Sequence, residues 1–355
     1  MSTRRAHSPD SRDGVRLGSY PTPLWRVDGL RDAQHELWVK DDGRTAAEYG
    51  GNKVRKLERL LTLARGRGAR RLLTVGAAGS HHVLATCLYG ARLGLPTWAV
   101  LTPQPRSAHA EATLRAALRA GLTAVPARSP LDAALALRRE RRPGDFSIGP
   151  GGWGCEGTWA YRLAVDELRE QMVAAGLGEL DAIFVAAGSG STAAGLVAGI
   201  LRTGVARRVV AVPAAANPAL RLMIIGQALH ALWRHDQLVS PLDALRALRL
   251  DPRFIGRGYG YSSDPAARAM ELARSFGLAV EPTYTAKAFA AATSWVTAPR
   301  GDKPRSKLRL HERRTYLYWH TLSAVPLDAL LAGAPETLPR ELARLLFEPS
   351  SPNPS

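Results

Sequence analysis

The sequence predicts an α/β chain of two open, mostly parallel α/β domains, and two observations carry that expectation. From about Glu58 to Phe146, short apolar runs alternate with segments whose apolar residues recur at helical spacing, the pattern of right-handed βαβ crossovers onto a parallel sheet. A glycine-dense break, Gly149-Pro150-Gly151-Gly152-Trp153-Gly154, then separates that block from a second set of strands and helices. With 355 residues, 46% of them hydrophobic, the chain has the length for one large or two modest globular domains.

Taken in order, residues 1–16 are polar and aperiodic and read as a mobile tail. Tyr20-Pro21-Thr22-Pro23-Leu24 is an extended lead-in, residues 36–40 alternate as a strand, and Asp41-Asp42-Gly43 turns the chain. Val54, Leu57, Leu60, Leu61 and Ala64 then mark the core face of a helix over 53–66. Strands follow at 71–76, 98–102 and 122–125, with helices at 81–93, 108–120 and after Pro130. Beyond the break come a helix over 158–175, a strand over 181–187, a small-residue helix to about 200 and a strand over 209–212. Residues 217–250 read as helical, 256–263 as a Tyr/Gly loop, 265–276 as a helix and 281–288 as a loop entering another helix. The basic run 300–314 reads as an exposed loop, 315–321 as a late strand, and the Pro/Ser/Asn segment after Phe347 as a disordered tail. The implied division is a smaller domain over 58–149 and a larger one over 17–57 and 150–345, with 346–355 as the tail.

Composition excludes several classes. No apolar run approaches the roughly 20 residues that span a bilayer, and the Arg-bearing start lacks the apolar core of a secretory signal, so a soluble cytoplasmic protein is expected. The two cysteines, Cys87 and Cys155, stand outside metal-type spacings, against a disulfide scaffold or a metal site. The formal net charge is +17, yet the basic residues are scattered and their densest run has no interleaved aromatics; we read a solvated surface, not a nucleic-acid interface.

Two stretches point to chemistry. In Gly50-Gly51-Asn52-Lys53-Val54-Arg55-Lys56-Leu57-Glu58 the glycines allow a sharp turn and Asn52 opens a helix with Lys53 in its first turn. The positive end of the helix dipole and partial burial both disfavour an ammonium there, which favours the free amine that Schiff-base chemistry needs. The plain alternative is a basic first turn on a solvated helix. In Gly188-Ser189-Gly190-Ser191-Thr192, backbone N–H groups, hydroxyls and a helix N-terminus suit a phosphate dianion. The next glycine, Gly195, falls too late for a dinucleotide fingerprint, and a triphosphate loop would carry a lysine. A reactive lysine with a monophosphate cradle suggests pyridoxal 5'-phosphate.

The motif order resembles the D-cysteine desulfhydrase and 1-aminocyclopropane-1-carboxylate deaminase family. It runs from Lys40-Asp41-Asp42 through GGNKVRKLE, a G-x-x-x-S-x-H-type loop and GSGST to Gly258-Tyr259-Gly260, Pro282-Thr283-Tyr284-Thr285-Ala286-Lys287-Ala288 and His320-Thr321. The resemblance covers about residues 21–330. It implies a tryptophan synthase β-like fold of type II with pyridoxal phosphate in an interdomain cleft, a small amino-acid substrate and a homodimer. It further implies Lys53 as the Schiff-base lysine and Gly188, Ser189, Gly190, Ser191 and Thr192 as the phosphate loop. Asn52, His81, Thr285 and Thr321 would be further cofactor contacts. Ser80 would lie over the cofactor ring, with a helix N-cap as its plainer role; His82 would face the substrate, and Tyr259 and Tyr284 would be the active-site phenols. Arg55 and Lys56 read as helix surface or supporting charge.

Three departures from the family pattern stand out. His81 replaces the usual Asn and brings a larger, titratable ring. Thr285 follows the tyrosine as in the desulfhydrases, where the deaminases have Glu; a neutral hydroxyl makes a weaker electron sink and favours β-elimination. His320-Thr321-Leu322-Ser323 lacks the paired glycines that usually follow His-Thr. The expected activity is β-elimination of D-cysteine or a similar amino acid to pyruvate, ammonia and sulfide. The alternatives are aminocyclopropane carboxylate deamination to 2-oxobutyrate, and a catalytically altered homologue that binds a ligand.

Overall fold

The computed structural model describes residues 14–30, 35–297 and 314–348. The chain forms two compact units, one from Met1–Gly18, Lys53–Gly152 and Pro326–Ser355, the other from Ser19–Asn52 and Trp153–Val325. Along the chain, β1 (Leu24–Arg26) and β2 (His35–Asp41) lead to α1 (Asn52–Gly66). There follow β3 (Arg71–Ala77), α2 (His81–Arg92), β4 (Thr97–Thr102), β5 (Gln104–Pro105), α3 (Ala108–Arg119), β6 (Leu122–Pro126), α4 (Pro130–Glu140) and β7 (Asp145–Ser147). Then come α5 (Cys155–Ala174), β8 (Ala182–Ala187), α6 (Ser191–Thr203), β9 (Val209–Pro213), α7 (Leu220–Arg234), α8 (Pro241–Ala247) and β10 (Leu248–Leu250). The chain closes with α9 (Asp264–Ser275), α10 (Thr285–Thr297), β11 (Arg314–His320), α11 (Arg340–Ala343) and β12 (Leu346–Phe347).

In the first unit a parallel sheet of order β6-β4-β3-β7 is joined by helical crossovers, and β5 pairs with β12 in a separate two-stranded ribbon. In the second unit the order is β1-β2-β11-β8-β9-β10, parallel throughout except for β1 against β2. Both faces of that sheet are covered. Leu180, Ile183, Val185, Val209, Ala211, Leu317 and Trp319 pack with α5, α6 and α7, while Phe184, Val210, Val212, Tyr316 and Tyr318 pack with α9 and α10. Burial on both faces explains why β8 and β9 read as unbroken apolar runs. The expected α/β class with mostly parallel sheets is borne out.

Several local expectations need correction. Leu248–Leu250, read as the end of a helical region, is β10 and pairs in parallel with β9 (Leu248↔Val209); a Leu-Arg-Leu run is too short to declare its period. Helix α5 starts at Cys155, three residues early, with Gly154 at φ 139 before it. The lead-in supplies β1, because Leu24 pairs with Lys40. Residues 14–16, assigned to the tail, are held: Val15 is buried and its N–H donates to Thr62 Oγ1 at 2.9 Å. The expected exposed loop, apart from Arg314, and the last seven residues of the expected tail lie outside the described residues. Among the described residues no helix is long and apolar enough to cross a membrane.

Candidate active site

The turn before α1 is tightly specified. Gly51 has φ 90, and a Cβ there would stand 2.7 Å from the Thr321 carbonyl oxygen, so the position accepts glycine alone. Its N–H donates to Asp42 O at 2.8 Å. Asp42 is itself completely buried, its carboxylate receiving Thr22 Oγ1 at 2.9 Å, Tyr161 OH at 2.5 Å and Trp319 Nε1 at 2.8 Å. The sequence places Asp42 in a turn and in the Lys40-Asp41-Asp42 motif without indicating this role. Asn52 follows, donating its N–H to Thr321 O at 3.1 Å and its side-chain amide to Thr192 Oγ1 at 3.0 Å.

Lys53 begins the first unit's share of α1, and burial lowers its ammonium from 10.5 to about 8. Arg55 and Lys56, expected as helix surface or supporting charge, are both buried, which corrects the first alternative; Lys56 Nζ donates to Gly151 O at 3.2 Å. Burial first and the Lys53 charge second push Lys56 well below the ordinary lysine value.

At the start of α2, Ser80 is the N-cap: its Oγ accepts from the Val83 N–H at 3.4 Å. The plainer role is thus filled. His81 Nε2 lies 2.9 Å from His109 Nε2, a partner that no sequence motif announces. Burial, then His109, then Lys53 hold His81 well below the ordinary histidine value, so the substitution for Asn brings a neutral ring at pH 7. His82 is buried with Nε2 2.9 Å from Thr74 Oγ1. Because the Thr74 hydroxyl spends its proton on Ile148 O at 2.9 Å, His82 donates through Nε2, which leaves Nδ1 a buried acceptor with no hydrogen-bond partner among the described residues.

The loop after β8 is in the second unit. Gly190 adopts φ 83 as N-cap of α6 and provides no side-chain cap, so the first N–H groups of a 13-residue helix are left to another acceptor. Ser191 Oγ lies 3.3 Å from Thr158 Oγ1, and Ser189 O accepts from Gln227 Nε2 at 3.1 Å, fixing the loop from behind. A Cβ on Gly188 would come within 2.9 Å of the Tyr284 ring. That ring meets Tyr259 edge to face at 5.6 Å between centroids and 83° between planes. Burial is the main cause that raises Tyr259 to about 12 and Tyr284 well above the usual phenol value; both are protonated at neutral pH.

Glu281, another residue that sequence reading left unmarked, shapes the next turn. Its carboxylate accepts the N–H groups of Thr283, Tyr284 and Thr285 at 2.7, 2.8 and 2.9 Å and so caps α10. Thr285 Oγ1 in turn accepts the Glu281 N–H at 2.8 Å. Tyr318 OH donates to Thr285 O at 3.1 Å and lies 3.2 Å from His320 Nδ1, while burial drops His320 to about 4 against weaker raising effects of Asp41 and Asp42.

Within the first unit, then, Lys53, Ser80, His81 and His82 lie at helix starts, and Lys53 bears electrostatically on both histidines. Within the second, Asn52, Thr192 and Thr321 are joined by hydrogen bonds, and Gly188, Tyr259 and Tyr284 by contact. Each set by itself has the chemistry for one part of pyridoxal phosphate: in the second unit the uncapped helix N–H groups suit a phosphate, and in the first a lysine near pKa 8 suits an aldehyde.

A family model described as pyridoxal-phosphate dependent enzyme matches residues 15–306. A protein of Nocardia uniformis subsp. tsuyamanensis named nocardicin C-9' epimerase is 33% identical over 336 residues, spanning 91% of this chain and 97% of that protein. One from Klebsiella pneumoniae (strain 342) named D-cysteine desulfhydrase is 30% identical over 295 residues, 79% of this chain and 87% of that one. A solved structure described as an ACC deaminase homologue has a TM-score of 0.70 at 25% identity, covering 90% of this chain and 95% of its own. These matches bear out the resemblance drawn from the motifs.

Proposed function

Because the chain belongs to the pyridoxal-phosphate dependent enzyme family, we propose that it removes the α-proton of a small amino acid and eliminates a sulfur substituent from the β-carbon, with D-cysteine or a close analogue as substrate. The observation that carries the reading is the pairing of opposite proton habits. Burial lowers Lys53 to about 8, so it yields its proton to become an amine far more readily than an exposed lysine, while Tyr259 and Tyr284 keep their protons. Bound pyridoxal phosphate supplies the electron sink that makes the Cα–H acidic. Lys53 would hold the aldehyde and, as an amine, would take the α-proton; the phenols would donate toward the departing sulfur. The Gly188–Thr192 segment holds the phosphate through its N–H groups. Thr285, a neutral hydroxyl already engaged with the Glu281 N–H, gives the ring nitrogen no acid, which favours loss of a good leaving group over cyclopropane opening. Ser80, His81, His82 and Thr321 take the supporting contacts that the motif order assigns them.

A second reading is epimerisation, favoured by the Nocardia relative that aligns over 97% of its length. It shares the α-proton step and differs in its end, since a phenol would then return a proton to carbon. One experiment separates the two: D- and L-amino acids are incubated in deuterated water, and keto acid, deuterium at Cα and configuration are all measured. Elimination gives pyruvate with sulfide; epimerisation gives inverted, deuterated amino acid without keto acid; 2-oxobutyrate from aminocyclopropane carboxylate would instead mark a deaminase. A wild type that neither turns over nor exchanges the α-proton of any amino acid sinks both readings.

A further inference from the structure

We propose that Lys287 is the positioning residue of the tyrosine pair, its ammonium fastening the peptide that carries Tyr259 to the helix start that carries Tyr284. Lys287 is the third residue of α10 and is completely buried. Its Nζ donates to Gly258 O at 2.7 Å, Ile255 O at 2.8 Å and Ala214 O at 3.0 Å, so its three N–H groups meet three carbonyls. Gly258 O belongs to the peptide bond that enters Tyr259. Ile255 closes the short 3-10 turn before it, and Ala214 follows β9 with its N–H on Ala187 O at 2.9 Å. One ammonium therefore ties the tyrosine loop, the end of the central sheet and α10 together. Tyr284 lies three residues before Lys287 and is held from the other side by Glu281.

The placement of a cation here runs against two physical tendencies. The first turn of a helix is its positive end, and burial lowers Lys287 to about 8, with only Glu281 acting in the other direction. Among the described residues no carboxylate takes its protons in hydrogen bonds; carbonyls do. Those carbonyls need a donor that converges on them from one point, which an apolar residue of similar length cannot supply. The orientation of the Gly258–Tyr259 peptide is what this lysine secures, and with it the edge-to-face contact of Tyr259 on Tyr284.

The inference rests on the proposed function only in taking the tyrosines to act on substrate, and its test has a readout that does not need turnover. In Lys287→Met holoenzyme, hydrogen exchange measured by mass spectrometry should rise in peptides covering 256–261 while β8 and β9 stay protected. On whichever substrate the wild type turns over, kcat should fall about 10- to 100-fold with KM changed by less than about twofold, the pattern of a misplaced group. In a Tyr259→Phe background the same substitution should cost less than about twofold more, because the lysine acts through that phenol. Lys287→Gln, which keeps amide donors, should fall between and serves if the Met variant does not fold. Unchanged exchange at 256–261 overturns the clamp whatever the substrate, and so do losses that multiply in the double variant. A wild type without turnover or a Lys53 adduct defeats the functional reading and leaves the exchange comparison to decide this one.

Discussion

Asn52 Nδ2 donates to Thr192 Oγ1 at 3.0 Å, a bond between residues 140 apart in sequence. It joins the residue immediately before Lys53 to the second residue of α6, so the lysine motif and the glycine loop share one hydrogen bond inside the second unit. Asn52→Ala and Thr192→Val remove the same bond. Each should weaken retention of pyridoxal phosphate by roughly fivefold, the worth of about 1 kcal/mol, as read by cofactor release on dialysis. The double variant should be no worse than either single one. Independent, additive losses would mean that the two side chains act separately.

Lys53 sets a pH dependence. Burial places its folded value at about 8 against 10.5 for an exposed lysine. Raising pH through 8 turns the ammonium into the amine that attacks the aldehyde, so uptake of pyridoxal phosphate by apoprotein should speed up from pH 6.5 and level off above about 8. Between about 8 and 10.5 the unfolded chain binds the proton that the folded apoprotein has lost. Stability contributed by this group therefore rises with pH across that window. Lys53→Ala should abolish the borohydride-trapped bond to cofactor; a trapped bond persisting at another lysine would refute the assignment.

Acid should act on the buried histidines before it acts on the carboxylates. His320 is lowered to about 4 from 6.5, and His81 and His82 are also lowered, all chiefly by burial. Below 6.5 the unfolded chain gains protons that the folded one refuses, so stability is lost as pH falls from 6.5 toward 4. For His320 alone the loss by pH 5 is on the order of 2 kcal/mol. Urea midpoints between pH 7 and 5 should fall, and the fall should be shallower in His320→Gln. An unchanged slope in that variant would assign the acid sensitivity to other groups.

Much of this was legible in the chain because the signals are local. A lysine after two glycines and a glycine-hydroxyl run after an apolar strand each announce themselves within ten residues, and the long periodic helices do the same. What escaped reading is nonlocal. His109 belongs to no pattern; Glu281 is the local exception, four residues before Thr285, where an acidic cap is a recognisable signal. Lys287 belongs to the motif of residues 282–288, yet its carbonyl partners are 73, 32 and 29 residues away. For Arg55 and Lys56 the usual rule that charged residues face solvent fails, because both side chains are buried, which excludes the helix-surface alternative and leaves that of supporting charge. Strand β10 was missed because three residues carry no period.

The buried Asp42 gives the sharpest stability prediction. Its Oδ2 accepts both Tyr161 OH and Trp319 Nε1, and its Oδ1 accepts Thr22 Oγ1. Asn in its place can keep an oxygen toward Tyr161 and Trp319 and turn its NH2 to Thr22, whose hydroxyl can reverse to accept. The loss is then that of charge-assisted strength, about 1–2 kcal/mol. Ala removes the oxygen that both Tyr161 OH and Trp319 Nε1 donate to and leaves the Trp319 N–H, which cannot become an acceptor, buried without it, and should cost about 3–5 kcal/mol. The Asp42 carbonyl also receives the Gly51 N–H, so movement of this residue shifts the turn that delivers Lys53. Turnover should accordingly fall more steeply than stability in Asp42→Ala when urea midpoints and kcat are measured on the same samples. Equal destabilisation by Asn and Ala would show that the network does not depend on which atoms accept.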